Sequence, residues 1–392
     1  MDAAVSEQPQ IRVIDADTHY SEPHDLWLKR APRKYIDRVP QVKTLNGRYS
    51  WYIDGDKPVG RHARANSAVT KDGRKATGDE SERIGIDDCH PGCWDPKARL
   101  QFMDQTGVWA HVIYPNILGF GGHRSASVGP ELRLVLVQIY NDAMAEMQQE
   151  SGGRLYPMAL LPWWDVKEAV KETERAAGMG LKGININPDP HSSKIVTGLP
   201  PLYNPYWDPL WEICQDKNLP VNFHLGASDQ GEDFYGTSFW PGFDRGTRVV
   251  VGSAMMFFNN ARILGNLLLC GLLDRFEKLN FVSVESGIGW IPFMLEALTY
   301  QKAEYVDKIR HKLTPKEYFA RNFYATYWFE QENLVADIHR VGVDRVMFET
   351  DFPHPTCFYP APDFTGGVPG LTYEESKKVL SANAARVYSI EL

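Results

Sequence analysis

The sequence predicts an α/β protein of the (β/α)8 barrel class, a TIM-type barrel. Two observations carry this. Eight short apolar, β-rich runs recur along the 392 residues, and segments with apolar positions three and four apart separate several of them. Strands that alternate with helices form βαβ units on a parallel sheet, and eight such units close into a barrel. A doubly wound open sheet shares this periodicity, but its nucleotide-binding form loses support because no GxGxxG follows the first run.

Taken in order, the runs are IRVIDA (11–16), WAHVIYP (109–115), LYPMALLP (155–162), LKGININ (181–187), LPVNFHL (219–225), NFVSVE (280–285), NFYATYWF (322–329) and DRVMFET (344–350). The helical patterns ELRLVLVQIYNDAMAEMQQ, VKEAVKETERAAGMG and YWDPLWEICQDKN precede the third, fourth and fifth runs, and two of them end at Gly or Asn, as helix stops do. Two connections are long. Insertions at about 24–100, including the polar GRHARANSAVTKDGRKATGDESERIG, and at about 225–258 follow the first and fifth runs and read as loops within one barrel domain spanning 1–392. Loops that leave barrel strands build the active-site face, so both are candidate lids. Phe234, Tyr235, Phe239, Trp240, Met255 and Met256 in the second suggest an apolar pocket.

Composition narrows the function. With 43% apolar and 23% charged residues the chain has the make-up of a globular protein, and a net charge of −8 argues against a general nucleic-acid binder. Small-molecule substrates are the expected partners. Five cysteines in no paired spacing make a disulfide framework improbable, and CHPGC alone lacks the second half of a zinc site. The first ten residues, MDAAVSEQPQ, have no signal-peptide pattern, and no apolar run approaches the roughly 20 residues that span a bilayer. A cytoplasmic protein without membrane partners is expected, and a homodimer is compatible with this composition.

The stretch VIDADTHYSEP places Asp15, Asp17, His19 and Glu22 behind an apolar strand. Side chains two apart on a strand point the same way, so Asp15, Asp17 and His19 are expected on one face, the last two at its carboxyl end. Other runs end alike, in His224, in Glu285, and in Thr350 followed by Asp351. A buried carboxylate is costly unless a partner or a metal neutralises it, so several on one rim imply a cation. His354, three residues past Asp351, is a candidate to move a proton, to orient a ligand or to fill a turn between prolines.

The motifs DADTHYSEP, NFHLG, VESGIGWIP, FETDFPHP and SANAARVYSI together resemble the amidohydrolase-related branch of the amidohydrolase superfamily, which also holds the aminocarboxymuconate-semialdehyde decarboxylase-like enzymes. The resemblance implies a metal-dependent barrel, with Asp17, His19, His224 and Asp351 as ligands. Two positions depart from the common pattern. Asp17-Thr18-His19 stands where many members carry His-x-His or Glu-x-His, and Glu285 stands where many carry His. Glu285 is therefore either a further ligand, bridging a second ion, or a general base. Three carboxylates and two imidazoles suit Zn, Fe or Mn, as one or two ions. Such an ion activates water and polarises a carbonyl, so the first expectation is a hydrolase of an amide, ester or thioester of a bulky apolar or aromatic acid, with Glu285, His354 and Asp351 as catalytic groups. The second is a metal-dependent non-oxidative decarboxylase or C–C lyase of an aromatic or unsaturated acid. A non-catalytic binding barrel is the third.

Overall fold

A computed structural model of the chain describes residues 8–45, 47–60, 65–78, 80–237, 239–305 and 311–392. Each of the eight runs overlaps a parallel strand: β1 (Val13–His19), β2 (Val108–Tyr114), β3 (Leu155–Pro157), β4 (Ile184–Asn185), β5 (Val221–His224), β6 (Phe281–Val284), β7 (Phe323–Tyr327) and β8 (Val346–Phe348). Hydrogen bonds join β1, β2 and β3 in one ladder and β4 through β8 in another. Single bridges, Ala159 with Ile184 and Thr18 with Phe352, link the two ladders at both seams. At the second seam the Asp351 N–H donates to the Asp17 carbonyl at 2.9 Å, and the His19 N–H to the Phe352 carbonyl at 2.7 Å. The barrel is closed.

Alternation along the strands supplies two cores. Ile14, Ala16, Val112, Tyr114, Met158, Val284 and Met347 fill the inside. Val13, Ile113, Phe223, Phe281 and Phe348 face the surrounding helices, where Leu136, Trp211 and Leu264 meet them. The anticipated helices form over Pro130–Glu150, Val166–Gly178 and Asp208–Asp216. Among the described residues, no helix is long and apolar enough to cross a membrane. The five cysteines are free thiols.

One irregularity in β1 shapes the site. Asp15 pairs with His111 and Thr18 with Ile113, so three steps on β1 match two on β2. The extra residue is a bulge, and a bulge reverses which face later side chains take. Asp15 stays on the helix side with Val13, accepting from the Thr350 N–H at 2.9 Å and the Thr350 hydroxyl at 2.5 Å. Beyond the bulge, Asp17 and His19 turn to the barrel mouth. The expectation that all three share a face is thus corrected.

The two long connections are more ordered than their composition suggests. After β1 an antiparallel sheet forms from Gln41–Leu45, Arg48–Ile53 and Lys57–Pro58. In the polar stretch that follows, Ala68, Val69 and Ala76 are buried. The Ala68 N–H donates to the Pro353 carbonyl at 3.0 Å and Lys75 Nζ to the Cys357 carbonyl at 2.7 Å, which docks this segment on the chain just past β8. Residues 61–64 and 79 of that stretch lie outside the described residues. After β5 the connection is mainly helical, over Asp229–Thr237 and Arg245–Leu269. Asp244 caps the second helix by accepting from the Thr247 N–H at 3.0 Å, and Ile263, Leu264, Leu267 and Leu268 anchor its far half. Trp240 is 75% exposed; the Tyr235 side chain lies outside the described residues.

Candidate metal centre

The carboxyl ends of β1, β5, β6 and β8 bring Asp17, His19, His224, Glu285 and Asp351 together at the barrel mouth. Asp17, His19, His224 and Asp351 are fully buried and Glu285 is 6% exposed. His19 Nε2 lies 3.5 Å from both Asp17 Oδ1 and Asp351 Oδ1. His224 Nε2 lies 3.5 Å from Asp17 Oδ2 and 3.4 Å from Glu285 Oε2. Two overlapping groups, Asp17–His19–His224–Glu285 and His19–Glu285–Asp351–His354, each hold donor atoms within 4.8 Å of one another.

These atoms fit a cation. Asp17 Oδ1 and Oδ2, His19 Nε2, His224 Nε2, Glu285 Oε2 and Asp351 Oδ1 are buried without a hydrogen-bond partner, whereas buried polar atoms in proteins are ordinarily paired. A divalent cation, as one ion or two, would satisfy them. His224 Nδ1 lies 2.9 Å from the Leu225 carbonyl, and donation there leaves Nε2 with its lone pair facing the site, as a ligand requires.

The electrostatics agree. Burial lowers His19 well below the usual imidazole range and His224 to about 3, so both rings are neutral donors. Burial, then the charge of Asp351, raises Asp17 and Glu285 well above the ordinary carboxyl range. Without a cation these acids need protons; a divalent ion would replace them. Glu285 and Asp351 also have φ of 57° and 59°. That left-handed backbone is strained for residues other than Gly, and such strain concentrates at functional sites.

Residues around the donors complete the site. His354 stacks on His19 with ring centroids 3.7 Å apart, and its Nδ1 lies 2.7 Å from Asp351 Oδ1. Its Nε2 lies 2.8 Å from Asn116 Oδ1, and Asn116 Nδ2 donates to the Tyr20 carbonyl at 2.9 Å, which orients the amide. Phe120, on the same loop after β2, sits over the imidazoles. Glu349, buried on β8's inward face, accepts from the Glu285 N–H at 3.3 Å, and burial followed by the Asp17 charge raises its pKa.

All six residues anticipated from the sequence, Asp17, His19, His224, Glu285, Asp351 and His354, therefore meet in one place. Sequence reading missed Glu349, Asn116 and Phe120. Counting in twos from Met347 would have put Glu349 inside the barrel; no periodicity marks the two loop residues.

A closed barrel with carboxylate and imidazole donors at its strand ends defines the class of metal-dependent barrel enzymes. The family is also clear: the chain belongs to the amidohydrolase family, whose model, described as Amidohydrolase, matches residues 14–390. The gamma-resorcylate decarboxylase of Polaromonas sp. (strain JS666 / ATCC BAA-500) is 25% identical over 304 residues, 74% of this chain and 86% of that protein. Among solved structures, amidohydrolase map2389c from Mycobacterium avium subsp. paratuberculosis K-10 superposes with a TM-score of 0.73 at 20% identity, over 96% of this chain and 99% of that one. A dihydroxybenzoic acid decarboxylase from Polaromonas sp. JS666, with bound manganese and the inhibitor 2-nitroresorcinol, gives a TM-score of 0.61 at 17% identity over 96% of each chain.

Proposed function

We propose that the protein is a metal-dependent, non-oxidative decarboxylase of an aromatic carboxylic acid. The observation that carries this is the contact of His354 with Asp351 beside the donor cluster, which offers a path for a proton. Asn116 Oδ1 takes the hydrogen on His354 Nε2, while His354 Nδ1 lies 2.7 Å from Asp351 Oδ1, within reach for a proton to pass between them. Decarboxylation ends with a proton delivered to carbon, whereas hydrolysis begins with a proton taken from water. A proton path that ends at the donor cluster supports the former. Similarity to a gamma-resorcylate decarboxylase supports the same choice over the hydrolase expectation.

In this reading Asp17, His19, His224 and Asp351 hold a divalent ion, with Glu285 as a further donor. When bound, that ion supplies positive charge to anchor and polarise an anionic substrate. The carbon–carboxyl bond breaks, carbon dioxide leaves, and the electron pair remaining on the ring carbon takes a proton passed along the contact of His354 with Asp351. Solvent returns a proton to these two residues. Burial of the donors excludes water and strengthens each electrostatic contact. The donor set suits Zn, Fe or Mn, and we assign manganese, the ion in the similar dihydroxybenzoic acid decarboxylase.

The test is to incubate manganese-loaded protein with a panel of hydroxybenzoic acids in deuterium oxide. Release of carbon dioxide with one deuterium at the vacated ring carbon is expected. Cleavage of aromatic esters or amides without carbon dioxide release would overturn the assignment.

A further inference from the structure

We propose that Phe120 is the wall on which a planar substrate ring stacks, and that it sets a preference for aromatic over saturated acids; this rests on the decarboxylase reading above. Its ring centroid lies 4.2 Å from that of His224, 5.0 Å from His19 and 5.8 Å from His354, so it roofs three imidazoles of the cluster. It is tilted to each, by 44°, 48° and 42°, rather than laid flat on any one. The two ligand imidazoles beneath it are fully buried, while Phe120 itself is half-buried. Phe120 is thus more exposed than those two rings and offers its surface beside the donors.

The loop holds Phe120 in place before any ligand arrives. Glu22 Oε1 accepts from the N–H groups of both Asn116 and Ile117 at 3.1 Å. The Gly119 N–H donates to the Asn116 carbonyl at 3.0 Å, and Trp163 Nε1 to the Gly122 carbonyl at 3.0 Å. At Gly121 any side chain would collide with the carbonyl oxygens of Ala227 and Ile186, so the loop is wedged between the ends of β4 and β5. A wall ordered in advance spares the ordering cost of binding. Aromatic rings gain from offset or edge contact beyond the area they bury, an advantage a saturated ring of the same size lacks.

The experiment is isothermal titration calorimetry on the manganese-loaded full chain, with benzoate and cyclohexanecarboxylate as probes. The parent is expected to prefer the aromatic acid by about threefold to tenfold. Phe120→Leu should bring the ratio close to one, and Phe120→Trp should restore it, with manganese content by elemental analysis unchanged in both. A Phe120→Leu protein that keeps the parent's ratio would remove the role of Phe120 and leave the decarboxylase reading standing. Loss of manganese in Phe120→Leu would make the ring a support for the ligand histidines, which also overturns the proposal. A parent that binds neither probe, or both alike, would remove the aromatic-acid reading and the role of Phe120 with it.

Discussion

Replacing Glu22 by Gln should make the protein more stable above neutral pH and leave it nearly unchanged in mild acid. Glu22 is 3% exposed, and burial raises its pKa from 4.5 to about 7 against the pull of the Ile117 and Asn116 N–H groups. A folded-state pKa above the unfolded one means that the folded protein retains a proton the unfolded chain releases. Stability is therefore unaffected below about pH 4.5, falls as the pH rises to about 7, and stays reduced above that. At about 1.4 kcal/mol per pKa unit, the full loss is about 3 kcal/mol. Gln keeps an oxygen for both N–H donors and carries no charge. The measurement is urea unfolding of both proteins, stripped of metal by a chelator so that metal binding does not enter, at pH 5 and pH 8. Glu22→Gln should gain about 3 kcal/mol at pH 8 and under about 1 kcal/mol at pH 5. Equal differences at the two pH values, or a less stable variant at pH 8, would refute the burial argument.

The remaining predictions concern the donor cluster and its support. His224→Ala and Asp351→Asn should each strip the metal, whereas Asp15→Asn, which alters a residue on the other side of β1, should keep it; elemental analysis after dialysis separates the three. Glu285→Gln should weaken metal binding about tenfold or more and yet raise the melting temperature of the metal-free protein, since one of several mutually repelling buried acids is gone. Calorimetry with and without chelator reads both signs, and a metal-free variant less stable than the parent would contradict the repulsion. Asn116→Ala should lower turnover about tenfold to hundredfold at unchanged metal content, because His354 loses the partner that orients it. A parental rate would show that His354 needs no such partner.

The barrel class was legible in the sequence, and so was the gathering of Asp17, His19, His224, Glu285, Asp351 and His354 at one rim. Strand periodicity is local, and each of these residues sits at or just past the end of an apolar run, where a barrel collects its polar side chains. Helix signals were equally local for Pro130–Glu150 and Val166–Gly178. The helix Arg245–Leu269 escaped notice because the Gly-rich and aromatic stretch before it reads as loop, and its anchoring residues come only in its last turns.

Which side of β1 each acid takes depends on how β1 pairs with β2. The bulge between Asp15 and Thr18 exists only relative to β2, some ninety residues away, so no count along β1 reveals that Asp15 turns to Thr350 while Asp17 turns to the cluster. Asn116 and Phe120 were hidden for a related reason. A loop has no repeat to read, and its course after β2 is set by Glu22, Trp163 and the carbonyls of Ile186 and Ala227, groups brought near only when the barrel closes. Side-chain type and strand period travel with the chain; register and loop path are properties of pairs of distant segments, and so appear only in the folded molecule.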